Sequence, residues 1–247
     1  MIGNYSMVKS DGQFGYVHWK DLKNIEDQTV YSFGMIVQKM RSEITNLINT
    51  VGEQASFKPL TQSNFVSLKI LFRLKECMVS IELLISKGLA RDAAQLLLTL
   101  MELRLEMQYV SENPSHASDW IACSRQNKKP WTVDFLIKNL FPNDEDRHTE
   151  RSNYKHLLQI KHSDPMGSQP SFPVKDDDFI HTDQKDLAVC LFCEGSECYR
   201  TLIAASEDLS ESGFNISKNR KAIEELNELK EKLQSLRKCK TGAAQGF

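Results

Sequence analysis

The segment from Leu89 to Val110, LARDAAQLLLTLMELRLEMQYV, constrains this chain more than any other. Leu, Ala, Glu, Arg and Met dominate it, and these residues lose little conformational freedom on entering a helix. Its apolar side chains cover much of the helical circumference, so it must have neighbours on most sides. Such a helix belongs at the centre of a bundle. Only 11 Gly and 7 Pro occur in 247 residues, which disfavours a turn-rich all-β fold. No segment alternates convincingly as a strand, and no internal repeat is visible. The expected fold is all-α, a bundle of about five to seven helices with a C-terminal amphipathic helix.

The rest of the chain supplies the partners. From Tyr31 to Val51, the residues Met35, Ile36, Met40, Ile44, Leu47, Ile48 and Val51 recur at spacings of three and four. Pro59 and Thr61 mark the next start. Phe65, Leu68, Leu71, Phe72, Leu74, Met78, Ile81, Leu84 and Ile85 then form the apolar face of a long helix that Gly88 ends or kinks. Asn113-Pro114 reads as a cap followed by a first turn, opening a short helix through Trp120 and Cys123. A second short helix runs from Trp131 to Leu140. Residues 143–162 begin with acids and end in His and Lys, which suits a helix dipole.

Three prolines, Gly167 and an acidic run make Ser163 to Asp178 an exposed loop. The acidic run Asp176 to Asp178 has no second segment that would make it a cation site. A helix from Asp183 to Leu209 follows, broken by Gly213. In the last helix, Ser217 to Lys240, the residues Leu226, Leu229, Leu233 and Leu236 form a two-heptad seam. That seam serves a homodimer, a partner protein or the chain's own bundle equally well. The organisation is a polar N-terminal arm (1–28), a helical bundle (29–212) and a C-terminal helix with a short tail (213–247).

Composition and motifs exclude several functions. Lys plus Arg number 31 and Asp plus Glu 33, a formal charge of -2, so no general nucleic-acid coat is expected, although a local basic face survives the average. The apolar stretch Leu96 to Met101, broken by Thr99, is far short of the roughly 20 residues that span a bilayer, and no apolar run in the sequence approaches that length. The N-terminus has no basic then apolar leader pattern. Most of the six cysteines sit inside apolar helical patterns, which points to reduced thiols in a cytoplasmic protein. Cys190, Cys193 and Cys198 lie close together, but no second ligand pair is present to complete a zinc site, so they read as small buried hydrophobes. Phosphate-loop, nucleophile-elbow and HExxH motifs are absent. No metal or other cofactor is expected.

The chemistry concentrates between Asp146 and Pro165. Arg147, His148, Glu150, Arg151, Asn153, Tyr154, Lys155, His156, Lys161 and His162 crowd one polar helix and its exit. A metal-independent ribonuclease needs a cation for the scissile phosphate and a titratable imidazole for the 2′-hydroxyl or the leaving oxygen. Arg147 and Arg151 share a face, while Arg151 and His156 are about 140° apart around a helix. Arg91 and Glu102 fall inside the apolar central helix. Buried charges need partners, so these two are expected to satisfy each other or groups on neighbouring helices.

Arg151-SNYK-His156 resembles the R-x(4–6)-H motif of HEPN proteins (higher eukaryotes and prokaryotes nucleotide-binding). The central helix, a Pro-containing turn with a Trp, and YKHLLQIKHSDP are together similar to a family of bacterial helical proteins of unknown function. Arg91, Glu102, Tyr154, His162 and Pro165 are the matching positions, within about Ser67 to Gly167. The resemblance implies an all-α bundle of the kind found in abortive-infection and toxin–antitoxin proteins. It implies RNA as the target and a dimer in which two motifs face each other across a cleft. In that reading Arg151, with Arg147, holds the phosphate, and His156 or His162 acts as general base or acid. Asn153, Tyr154 and Lys155 contact the RNA. The chain departs from the HEPN pattern in two ways: substantial helices follow the motif, and Ser152 stands where Asn often follows the motif Arg. The alternative is a non-catalytic helical module that binds a protein partner or a nucleotide signal.

Overall fold

In the computed structural model, residues 28–87, 89–126, 128–161 and 184–242 are described. They form an all-α bundle, with no strand among them. The helices are α1 (Gln28–Ala55), α2 (Gln62–Ser86), α3 (Ala90–Glu112), α4 (Ala117–Ser124), α5 (Val133–Leu140), α6 (Asp144–Lys161), α7 (Gln184–Glu211) and α8 (Ser217–Gly242). A single 3₁₀ turn, Pro114–His116, joins α3 to α4. The expected loop at 163–178 lies outside the described residues, as does the N-terminal arm.

Local chemistry sets the helix ends. The Thr61 hydroxyl accepts from the Asn64 amide at 3.1 Å while the Asn64 side chain accepts from the Thr61 amide at 3.2 Å, closing a reciprocal cap on α2. Thr132 caps α5 one way only, its hydroxyl accepting from the Phe135 amide at 3.2 Å. Gly213 ends α7 with φ +81°, and the Phe214 amide reaches back to the Leu209 carbonyl at 3.0 Å. That six-to-one closure needs the left-handed backbone that glycine adopts without penalty.

α3 is the central helix, packed against α2, α5, α6 and α7. Its burial runs all the way round, as its composition requires: Leu97, Leu100 and Met107 face the main core, while Met101, Leu105 and Tyr109 face a second cluster with Leu136 and Ile137 of α5. Tyr154 and Leu157 of α6 pack on that second cluster, which fixes where α6 sits. α1 lies against α2, α7 and α8. Ile223 and Leu226 of α8 enter the same core as α1 and α7.

The apolar face expected for α2 is corrected at two positions. Phe65 and Phe72 stand 41% and 50% exposed, whereas Leu71, Leu74, Met78, Ile81 and Ile85 are fully buried. At 100° per residue the two phenylalanines fall on roughly the opposite side of the helix from Leu74. α2 is therefore apolar on two faces, and one of them is outside.

Candidate functional site

α6 starts where Pro142 ends the preceding chain. The Asn143 side chain accepts from the Glu145 amide at 2.8 Å, and Asp144, Glu145 and Asp146 fill the first turn, where carboxylates meet the positive helix end. Its inner face carries Glu150, Tyr154 and Leu157. From 147 to 158, the only carboxylate is Glu150, and it is buried. His148, Arg151, Asn153, Lys155 and His156 are exposed and Arg147 is half-buried.

These residues have the following partners. Arg147 Nη2 donates to the Pro142 carbonyl at 2.8 Å and pairs with Asp144 at 2.8 Å, so it closes the entry to α6. Arg151 Nε lies 3.2 Å from Asp134 of α5, with both side chains well exposed. Arg151 and His156 diverge by about 140° around α6, so one chain does not bring them together. His162 and Pro165 lie outside the described residues.

Tyr154 and Glu102, 52 positions apart, do meet: the phenol donates to Glu102 Oε1 at a long 3.5 Å. Burial first, then the Glu102 charge, pushes the Tyr154 phenol above its ordinary value. Lys129 Nζ pairs with the other Glu102 oxygen at 2.6 Å. One turn along α3, Glu106 accepts from Trp120 Nε1 at 2.8 Å, and burial raises its carboxyl. The result is a polar strip on α3, two carboxylates bridged to a lysine, a tyrosine and a tryptophan.

The expected pairing of Arg91 with Glu102 is corrected. They are eleven positions apart, about 16 Å along one helix. Glu102 takes its partners from α6 and from the segment before α5 instead. The buried cation of α3 is Arg104. Its Nε donates to Glu197 at 2.6 Å, Nη2 to Glu150 at 2.6 Å and Nη1 to Gln108 at 2.8 Å. Arg200 completes the network by donating to Glu150 at 2.7 Å and to Glu197. A cleft of roughly 220 Å³ between α3 and α7 opens beside Arg200, lined by Gln108, Ser111, Glu112 and Tyr199 among others. The signal for Arg104 was present in the sequence: of its four neighbours on the helix surface, Leu100, Met101 and Met107 are apolar, and the fourth is Gln108.

A second buried cluster joins α1, α2 and α7. Arg41 Nη1 lies 3.4 Å from Glu82 Oε1, and Glu194 is wholly buried beside them. Neither Glu194 oxygen has a hydrogen-bond partner among the described residues. Burial, then the Glu82 charge, holds its carboxyl well above the usual range, against the pull of Arg41. Cys198 is fully buried, and desolvation pushes its thiol up. Cys190 Sγ donates to the Ala90 carbonyl at 3.4 Å. Among the described residues no three His, Cys, Asp or Glu side chains converge as a metal site, and no helix is long and apolar enough to cross a membrane.

No family model matches this chain, and neither a curated protein nor a solved structure is similar to it.

Proposed function

We propose that this chain is a HEPN-like RNA-targeting protein that meets RNA along the outer face of α6. One observation carries the reading: from 147 to 158 the solvent-facing ionisable side chains are Arg147, His148, Arg151, Lys155 and His156, while the one carboxylate, Glu150, is turned inward. A span with cations and imidazoles and no exposed acid of its own suits a phosphate backbone, which would displace the exposed Asp144 and Asp134 from Arg147 and Arg151. Arg151 holds a phosphate, with Arg147 beside it. Asn153 and Lys155 contact sugar or base, whereas Tyr154, expected to join them, is turned inward onto Glu102 and the second core cluster. The biological setting consistent with this reading is the effector of a bacterial antiviral or toxin–antitoxin system.

Cleavage asks for more than binding. An imidazole removes the proton of the 2′-hydroxyl, whose oxygen attacks the neighbouring phosphorus. The 5′-oxygen leaves and takes up a proton, giving a 2′,3′-cyclic phosphate and a 5′-hydroxyl. Arg151 and His156 of one chain point apart, so this step needs Arg151 of one copy and His156 of another, or His162 in place of His156.

The test incubates the protein with labelled total RNA and tRNA in EDTA, beside Arg151→Ala, His156→Ala and His162→Ala variants of verified fold. Cleavage in EDTA that one variant abolishes supports the ribonuclease form. RNA binding that weakens in Arg151→Ala without cleavage supports the binding form. Neither binding nor cleavage overturns the proposal in favour of a helical module for a protein partner. Leu229, 40% exposed one turn after the buried Leu226, favours that alternative, and Leu229→Asp would then abolish partner capture.

A further inference from the structure

The described residues expose nine large apolar side chains, and six of them lie on α2 or in the turns at its ends: Phe57, Leu60, Phe65, Phe72, Leu83 and Leu89. Exposed apolar groups scattered singly need no explanation, but a concentration on one element does. Around α2, Phe65, Lys69, Phe72, Glu76 and Leu83 fall within about 60° of one another, with the half-buried Val79 at the edge. This is a stripe some 27 Å long at 1.5 Å per residue, turned away from the bundle core.

The order of side chains along the stripe identifies what covers it. A two-fold axis crossing α2 between Phe72 and Arg73 carries position n onto position 145 − n. Lys69 then falls on Glu76, and Glu76 on Lys69. Phe72 falls on the exposed Arg73, one position from its own counterpart. Phe65 falls beside Val79, and the apolar turn before α2, with Phe57 and Leu60, meets the apolar end after it, with Leu83 and Leu89. Lys69 stands 5.5 Å from the Phe65 ring, and neither Lys69 nor Glu76 has an ion-pair partner among the described residues. An exchange of Lys69 with Glu76, between apolar ends that also exchange, is the self-complementary pattern that an isologous two-fold contact requires, with Arg73 at the edge of the stripe. We propose that α2 docks antiparallel on α2 of a second copy of this chain, centred on Phe72 and closed by two Lys69–Glu76 ion pairs.

A single-stranded polynucleotide fits the stripe less well. Glu76 sits in its middle, and no cation occurs from Glu76 to Leu83. The contact is also a different surface from α6, and it does not rest on the RNA reading.

The experiment is sedimentation equilibrium of the full chain without RNA, across micromolar concentrations. Wild type is expected to dimerise. Lys69→Glu and Glu76→Lys each place like charges opposite one another twice, so each should weaken association about tenfold or more. The double variant Lys69→Glu/Glu76→Lys swaps the pairs and should return to within about threefold of wild type. Phe72→Glu should be monomeric, with the helical content and melting of wild type showing that the fold survives. A wild-type monomer at 100-fold dilution series endpoints as high as ~100 µM overturns the proposal, because a functional contact is far tighter than that. A dimer that Phe72→Glu leaves intact, or single reversals that the double variant fails to rescue, also overturns it.

Discussion

Replacing Glu194 by Gln should stabilise the bundle, by an amount that grows with pH. Glu194 is fully buried between α1, α2 and α7. The charged groups facing it are Arg41 of α1 and Glu82 of α2, with the Cys77 and Cys198 thiols nearby. Desolvation and the Glu82 charge hold its folded carboxyl well above the usual carboxylate range, more than Arg41 lowers it. The folded state therefore keeps a proton that the unfolded state releases. Stability from this group is fully present below the unfolded carboxyl range, near pH 4.3. It is lost as pH rises from there to the folded pKa, at about 1.4 kcal/mol per pH unit. Two units above the unfolded value the loss reaches about 2.7 kcal/mol, as long as the folded carboxyl stays protonated. Gln has nearly the same shape and no proton to lose, so subtracting the two stabilities isolates Glu194. Urea unfolding of wild type and Glu194→Gln at pH 5, 6, 7 and 8 reads the difference. It should widen with pH and then level off where the folded carboxyl ionises. Parallel stability curves, or a difference that narrows with pH, would refute the reasoning.

Arg104→Met should cost about 3–5 kcal/mol in urea unfolding, because it leaves Glu150 and Glu197 facing each other in the interior with Arg200 alone to hold them. Asp208→Ala should cost about 2–3 kcal/mol by the same assay: the Asp208 carboxylate accepts from Ser63, from Asn64 at 3.1 Å and from Ser67 at 2.7 Å, and its loss strands donors in a buried site. Arg151→Ala, by contrast, breaks an exposed pair with Asp134 and should change stability by less than about 0.5 kcal/mol. A fall in RNA binding or cleavage by that variant is then a statement about the site, and thermal melting alongside the RNA assay checks it.

The helices were legible because each is written in local chemistry. Thr61, Thr132, Pro114 and Gly213 mark boundaries through caps and backbone preferences that act within a few residues, whereas Asn113, expected as a cap, instead donates back to the Tyr109 carbonyl of α3. The central place of α3 was legible from its apolar circumference. What periodicity does not carry is which of two apolar faces turns inward. α2 bears Leu71, Leu74 and Met78 on one side and Phe65 and Phe72 on the other, and only packing against α1, α3 and α7 decides between them. Polar partners were hidden for a related reason. Arg104 meets Glu150 and Glu197, 46 and 93 positions away, and no local rule pairs residues at such separations. Of the matched positions, only Glu102 and Tyr154 are seen in contact. Arg151 and His156 sit as far apart around α6 as their spacing dictates, because that relation is local.

The three buried polar clusters have one element in common. Glu194 faces Arg41 and Glu82, Glu197 and Arg200 bind Arg104 and Glu150, and Asp208 accepts from Ser63, Asn64 and Ser67; all four acceptor or donor residues are on α7. They are spread over fourteen positions, about 21 Å of helix, so they match α7 to its neighbours at three separate levels. Apolar packing alone tolerates a slide of one turn, since Leu187, Leu191, Leu202 and Leu209 would exchange one apolar neighbour for another. The polar matches do not: a shift of about 5.4 Å would take Glu197 away from Arg104 and leave Asp208 in the interior without its Ser63, Asn64 and Ser67 donors. These side chains fix the register of α7, which is the role that buried ion pairs perform best even where their net contribution to stability is small.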